Sequence, residues 1–240
     1  MNIETNKIHL GDCYELIKQI PDKSIDLIYT DIPYLLTLGG GGNSRIAKNI
    51  IEKQKSIQFV SQGIDYKILN EFIRVTKKIN CFIWCSKLQI VEILKYFVCE
   101  HKCNFEILVW LKSNPIPQTN NVWLADVEYC LYFRESGVPL NDGYHLKSKW
   151  YQSPINKRDK DVFDHPTIKP LELVKRHISH TTQENDLVLD CFIGSGTTAI
   201  ACKELNRNYI GIEIDPRWHK IAVDRLDNVD ARGQISFIAR

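Results

Sequence analysis

The chain has 240 residues, 44% of them hydrophobic, and its 31 Lys and Arg against 29 Asp and Glu leave a formal net charge of +2. That length and apolar content suit one large domain or two small ones with a real core, and exclude a disordered or fibrous protein. So small a charge does not by itself indicate a nucleic-acid partner, and any phosphate-binding face has to come from local clustering.

Met1 to Asn6 lacks the apolar core of a signal peptide, and no uninterrupted apolar stretch approaches the ~18 residues of a membrane span. The expectation is a soluble, cytoplasmic protein with no membrane partner. Eight cysteines in such a chain read as reduced thiols rather than a disulfide framework. Cys81/Cys85 and Cys99/Cys103 form C-x-x-x-C pairs, but Cys81 and Cys85 sit in an apolar run where Cys packs as a small hydrophobe, so no metal site is expected.

Strand-like runs alternate with helix-like ones along the chain, which predicts an α/β fold with a mostly parallel sheet covered on both faces. Lys7 to Leu10 reads as the first strand, ending at Gly11-Asp12-Cys13, and a helical stretch from Tyr14 to Ile20 is stopped by Pro21. The apolar run Ile25 to Thr30 then leads into Asp31-Ile32-Pro33-Tyr34. This tetrapeptide puts a carboxylate, a rigid kink and an aromatic ring at a strand's C-terminal edge, where open α/β sheets bind ligands. The carboxylate and the Ile32 carbonyl can accept two N–H bonds from an amine while Tyr34 stacks on a flat ring. A capped strand end followed by a turn would use the same residue types.

Residues 35 to 62 contain Gly39 to Gly42 and show no firm periodicity before Ile46 to Ile51, and a long glycine-bearing loop beside a site reads as a mobile lid. Helices are expected over Ile64 to Lys78 and Gln89 to Tyr96, with strands at Cys81 to Cys85, Phe105 to Trp110 and Val127 to Phe133. Residues 136 to 164 are polar and turn-rich, with Lys147, Lys149, Lys157, Arg158 and Lys160 around Trp150 and Tyr151. They read as a small surface insertion within a single domain spanning residues 1 to 240, whose basic and aromatic side chains can contact phosphates and stack on bases, although a solvated charged loop would use the same residues.

Past His165-Pro166-Thr167-Ile168-Lys169-Pro170, a helix is expected from Leu171 to His180 and a strand over Asp186 to Asp190. Asp190-Cys191-Phe192-Ile193-Gly194-Ser195-Gly196-Thr197-Thr198-Ala199 is then a strand end, a glycine turn and a helix start, where backbone amides can meet a ligand. The strand Tyr209 to Ile212 ends in Glu213, placed for ribose hydroxyls, so the geometry is that of a nucleoside site. The glycine turn also satisfies a relaxed dinucleotide fingerprint. Asp190 would repel a pyrophosphate, however, and fewer than 50 residues follow Gly194, too few to complete a dinucleotide fold. S-adenosylmethionine, an adenosine joined to a charged amino acid, fits better.

In this order the motifs resemble those of the β group of amino DNA methyltransferases, over nearly the whole chain. Asp31 to Tyr34 is similar to that family's Asp-Pro-Pro-Tyr, His165 to Pro170 to its His-Pro-Thr-x-Lys-Pro, and Cys191 to Gly196 to its glycine loop. The resemblance implies a circularly permuted Rossmann-like class I methyltransferase fold with a seven-stranded sheet. It implies S-adenosylmethionine as cofactor, with Asp190, Phe192, Gly194 and Gly196 at the methionine part and Thr167 and Lys169 near its carboxylate. Glu213 would take the ribose and Asp12 the adenine edge, although Asp12 alone reads as a helix cap. Asp31, Ile32, Pro33 and Tyr34 would be catalytic. Ile32 departs from the family's first proline, which removes stiffness but keeps the carbonyl.

Asp at the first position of that motif resembles the adenine-modifying members, so the implied reaction is methylation of adenine's exocyclic amine after the base is flipped from the duplex. Cytosine amine, RNA or protein glutamine as target, a nicotinamide oxidoreductase, and a DNA-binding relative without turnover are the alternatives. Double-stranded DNA is the expected partner, with a second copy of the chain and a cognate restriction endonuclease as further candidates.

Overall fold

The computed structural model describes residues 3–35, 63–115, 117, 123–141, 143, 147–155 and 168–228. The glycine run Gly39 to Gly42, the run Ile46 to Ile51, Lys157, Arg158 and Lys160 of the basic cluster, Thr167 and Gly233 to Arg240 lie outside the described residues.

Among the described residues the strands are β1 (Lys7–Leu10), β2 (Leu27–Asp31), β3 (Asn80–Cys85), β4 (Asn104–Lys112), β5 (Val127–Arg134), β6 (Trp150–Ser153), β7 (Leu187–Asp190) and β8 (Asn208–Glu213). They form one sheet in the order β1-β8-β7-β2-β3-β5-β4-β6. Every neighbouring pair is parallel except those involving β5, which runs against both β3 and β4.

The sheet therefore has eight strands where seven were expected. The additional one, β6, lies inside the stretch read as a surface insertion. Its sequence Trp-Tyr-Gln-Ser is short and half-exposed, and it pairs with β4 alone over Val109 to Lys112, so no buried apolar run announces it. The other seven strands fall where the apolar runs put them.

The helices are α1 (Cys13–Leu16, extended by a 3-10 turn over Ile17–Gln19), α2 (Ile68–Val75), α3 (Ile90–Leu94, running into a π-helical turn at Lys95–Glu100), α4 (Leu171–Thr181), α5 (Thr197–Glu204) and α6 (Pro216–Asp227). Strand alternation sorts them onto two faces. On β3, Cys81, Ile83 and Cys85 point into a core with Ile17 of the 3-10 turn, Leu69 and Phe72 of α2 and Phe97 of the π-helical turn. Phe82 and Trp84 point to the other, with Leu173 and Ile178 of α4, Ala199 of α5 and Ala222 of α6. All of β3 is buried because both faces are covered.

Cys81 and Cys85 are thus core side chains, and the described thiols are all free, with only Cys99 exposed. No described helix is long and apolar enough to cross a membrane. β2 leads through α2 to β3 on one side, while β7 leads through α5 to β8 on the other. The chain therefore reverses between two adjacent strands, β7 and β2, and opens a crevice at their C-terminal ends.

Candidate active site

The crevice is lined by Asp31 at the end of β2, Asp190 at the end of β7, the turn Phe192 to Ser195, Thr197 and Thr198 of α5, Trp84, and Lys169 just ahead of α4. Sequence reading placed most of these at one site, and the structure brings them together.

Asp31 faces Trp84 across the β2–β3 ladder. The Ile32 side chain is only 1% exposed and sits in the core, and its N–H donates to the Trp84 carbonyl at 3.2 Å. A proline could not make that bond. Isoleucine here exchanges ring stiffness for a ladder hydrogen bond and a core anchor. The next turn is held by a residue that sequence reasoning missed: buried Gln89 donates from Nε2 to the Pro33 carbonyl at 2.9 Å and accepts from the Ser86 N–H at 3.0 Å. Ser86 Oγ donates to the Leu35 carbonyl at 2.9 Å. These bonds fix where the Ile32 carbonyl and the Tyr34 ring stand.

Lys169, expected at the cofactor's carboxylate, is found against Asp31. Its ammonium donates to Asp31 Oδ2, lies 3.1 Å from Glu128 Oε2, reaches Tyr34 Oη at 3.3 Å and sits 5.0 Å from the centre of the Trp84 ring. Burial opposes its charge, but Asp31 and Glu128 outweigh that and hold its pKa above the usual lysine value. Burial pushes the Asp31 carboxyl up; Lys169 pulls it back and Glu128 adds to the rise, and the net direction is upward. Burial also raises Glu128, yet Lys169 and Lys112 hold it down at about 2.

Glu128 was not singled out from the sequence. A carboxylate near the start of the mostly apolar strand Val-Glu-Tyr-Cys-Leu-Tyr-Phe-Arg was the available signal.

Asp190 is nearly saturated by its own chain. Oδ1 accepts from Thr30 Oγ1 at 2.9 Å and from the Phe192 N–H at 3.1 Å, and Oδ2 accepts from Thr198 Oγ1 at 2.6 Å. Desolvation nevertheless pushes its pKa up to about 7. Glu213 accepts from the N–H of Gly194 and that of Asp215, both at 2.9 Å, so it also ties the glycine turn to β8. Gly194 and Gly196 both have positive φ, +53° and +84°. Arg225 of α6, another residue missed from the sequence, donates to the Ser195 carbonyl at 2.5 Å and to its Oγ at 2.8 Å, bracing the turn from behind.

Asp12 caps α1, accepting from the Tyr14 N–H at 2.9 Å, the role its position alone suggests. The N–H of neighbouring Gly11 donates to the Glu213 carbonyl at 2.8 Å, so Asp12 stands beside the end of β8. The Cys85 thiol on β3 is pushed up to about 12 by burial, with the Asp31 charge adding to the rise, and stays protonated. The cleft thus combines a target-side carboxylate, a buried carboxylate suited to a cation and a backbone-rich turn.

Residues 25–224 match the family model described as DNA methylase. The chain is 31% identical to the type II methyltransferase M2.LlaDCHI of Lactococcus lactis subsp. cremoris, covering 90% of this chain and 87% of that one. It is 30% identical to the type II methyltransferase M2.DpnII of Streptococcus pneumoniae, over 90% and 88% of the two chains. Among solved structures, the complex of M1.HpyAVI with SAM is similar with a TM-score of 0.67 and 26% identity, over 92% of this chain and 99% of that one.

Proposed function

Since the chain belongs to the DNA methylase family and is an S-adenosylmethionine-dependent DNA methyltransferase, we propose that it methylates the exocyclic amine of adenine, with Asp31 as the residue that grips that amine. The observation that carries this reading is Asp31 Oδ1, a buried carboxylate oxygen with no hydrogen-bond partner among the described residues, facing the same cleft as Asp190 and the glycine turn. A buried acceptor left unsatisfied costs free energy, and a ligand N–H is what would satisfy it.

The donor set fits the cofactor. Asp190 suits a cationic amino group and Glu213 a pair of hydroxyls, while the turn between them offers backbone to a ligand that must approach closely. When bound, the cofactor supplies a methyl group on a sulfonium, an electrophile that needs no metal or covalent enzyme intermediate. Asp12 at the adenine edge and Thr167 belong to the same proposal.

The chain's own residues act on the amine. Its lone pair is delocalised into the ring, and two acceptors on its N–H bonds, Asp31 Oδ1 and the Ile32 carbonyl, localise it on nitrogen. Tyr34 stacks on the flipped base, and its ring and carbonyl neighbours are already held by Gln89 and Lys169. Residues 136 to 164 contact the DNA, with β6 giving that stretch a fixed base on the sheet edge. The enzyme acts in the cytoplasm on double-stranded DNA, and its type II relatives support a cognate endonuclease as partner.

Incubation with unmethylated DNA and methyl-labelled S-adenosylmethionine, then nucleoside digestion and mass spectrometry, tests the target. Label on adenine amine is expected; label on cytosine amine would keep the mechanism and overturn the base.

A pH dependence of cofactor binding follows from Asp190. Its raised pKa means that the free protein holds a proton there below pH of about 7. A cationic ligand prefers the ionised carboxylate and expels that proton, so affinity increases as pH rises. The dissociation constant is expected to fall several-fold between pH ~6 and ~7.5 and to rise again at higher pH, where the ligand's own α-amino group, with a pKa of about 8, loses its charge. Asp190→Asn should bind weakly and without that slope. Calorimetry in buffers of different ionisation enthalpy reads the proton directly, and a wild-type affinity flat across this range would remove Asp190 from the ammonium site.

A further inference from the structure

The target-side carboxylate belongs to a buried row of four charges. Lys169 engages Asp31 Oδ2 and meets Glu128 Oε2 at 3.1 Å, and Glu128 Oε1 in turn takes Lys112 Nζ at 2.7 Å. Lys169 is 6% exposed at its side chain and Glu128 15%, so solvent screens this row little. Opposite charges alternate along it and sum to zero.

Such a row has a consequence for an acceptor. A carboxyl group desolvated near other carboxylates takes up a proton, and a protonated one offers fewer acceptor sites to an amine. One ammonium alone beside it would restore ionisation but also draw its negative charge away from the amine, where positive charge develops during methyl transfer. A second carboxylate on the far side of the ammonium offsets that loss.

We propose that Lys169 and Glu128 are positioning residues for Asp31. Lys169 keeps Asp31 ionised and occupies Oδ2, leaving Oδ1 for the target amine. Glu128, anchored by Lys112, holds Lys169 in place and keeps its charge from cancelling that of Asp31. The inference rests on the reading of Asp31 as the amine's acceptor.

The groups facing Asp31 come from every element around it: Lys169 ahead of α4, Tyr34 after β2, Cys85 on β3, Glu128 and Cys130 on β5, and Asp190 at the end of β7. Burial keeps both thiols and the Tyr34 phenol neutral. Lys169, Glu128 and Asp190 are then the charges that set Asp31, and at saturating cofactor the titration of Asp190 drops out.

The test is kcat against pH, from about 5 to 9, at saturating cofactor and DNA, for wild type, Lys169→Met, Lys169→Arg and Glu128→Gln, with cofactor affinity measured separately. Lys169→Met is expected to move the acid limb up by about one unit or more and to lower kcat at pH ~7 at least tenfold. Lys169→Arg should bring the limb back toward wild type. Glu128→Gln should move the limb the opposite way, down, while still lowering the plateau. A purely structural role predicts no such opposition.

Cofactor affinity should stay within about threefold throughout. Limbs that do not move, limbs that move together, or a Lys169→Met whose effect is confined to cofactor affinity would each overturn the proposal. If Lys169→Met does not fold, the near-isosteric Glu128→Gln and Lys169→Arg carry the same comparison. Asp31→Asn separates the two readings: near-normal turnover there overturns the amine acceptor itself, whereas inactive Asp31→Asn with unmoved limbs elsewhere overturns the clamp alone.

Discussion

Asp31→Ala is expected to lower kcat by about 10³-fold or more while leaving cofactor affinity close to wild type. The magnitude follows from what is removed. A fixed, desolvated group aimed at charge that develops in the transition state is worth roughly 10²–10³ in rate when deleted singly, and Asp31 also orients the amine. Cofactor affinity should survive because Asp190 and Glu213 stand on β7 and β8 and are held by their own bonds to Thr198 and Gly194. The fold should survive as well, since the Asp31 side chain is 24% exposed at a strand end rather than part of the apolar core. Alanine does leave Lys169 with only Glu128 for its charge, so a lowered melting temperature is expected too. Single-turnover kinetics with labelled cofactor, alongside a binding titration, separates these effects. Turnover within a few-fold of wild type in a folded Asp31→Ala protein would end the role assigned to this carboxylate.

What could be read from the sequence follows from how each part is held. β2, β3, β7 and β8 are buried strands, and such strands show as short apolar runs, which in β2, β7 and β8 stop at an acidic residue. Their C-terminal residues Asp31, Asp190 and Glu213 were legible for the same reason: a charge directly after an apolar run marks the strand's end. β6 was not legible, because Trp150 and Gln152 are exposed and its pairing is set by β4, not by its own pattern.

The partners of the site residues were beyond local reading. Lys169 could be singled out as part of a motif, but its ion pair to Asp31 joins residues 138 positions apart. The bonds from Gln89 to Pro33 and from Arg225 to Ser195 likewise depend on the finished sheet. Ile32 is instructive in a different way. Sequence comparison with the family pattern counted it as a loss of stiffness, whereas its N–H bond to Trp84 restores the rigidity by other means.

Gly196→Ala is expected to destabilise the protein by about 2–5 kcal/mol and to weaken cofactor binding with it. Two costs add. Gly196 has φ +84°, and a residue with a Cβ in that left-handed region costs roughly 1–2 kcal/mol. A Cβ there would also stand 3.0 Å from the Ala222 Cβ, 3.2 Å from its Cα and 3.3 Å from its carbonyl oxygen. Backbone of α6 cannot swing aside as a long side chain can, and overpacking of this kind costs about 1–3 kcal/mol. The sequence suggested that these glycines make room for a ligand, but at Gly196 the crowding comes from a helix of the protein itself. The cofactor turn is therefore shaped partly by α6 packing on it, the same helix whose Arg225 holds Ser195. Ala222→Gly tests this coupling. On its own it should cost about 1 kcal/mol as a glycine within a helix. Combined with Gly196→Ala it should recover part of the loss, because the nearest contact is gone while the Cα and carbonyl contacts and the strained φ remain. Denaturant melts of the four proteins in the cycle measure the recovery. Strictly additive losses would show that strain at φ +84° alone makes glycine necessary there, and that α6 does not shape the turn.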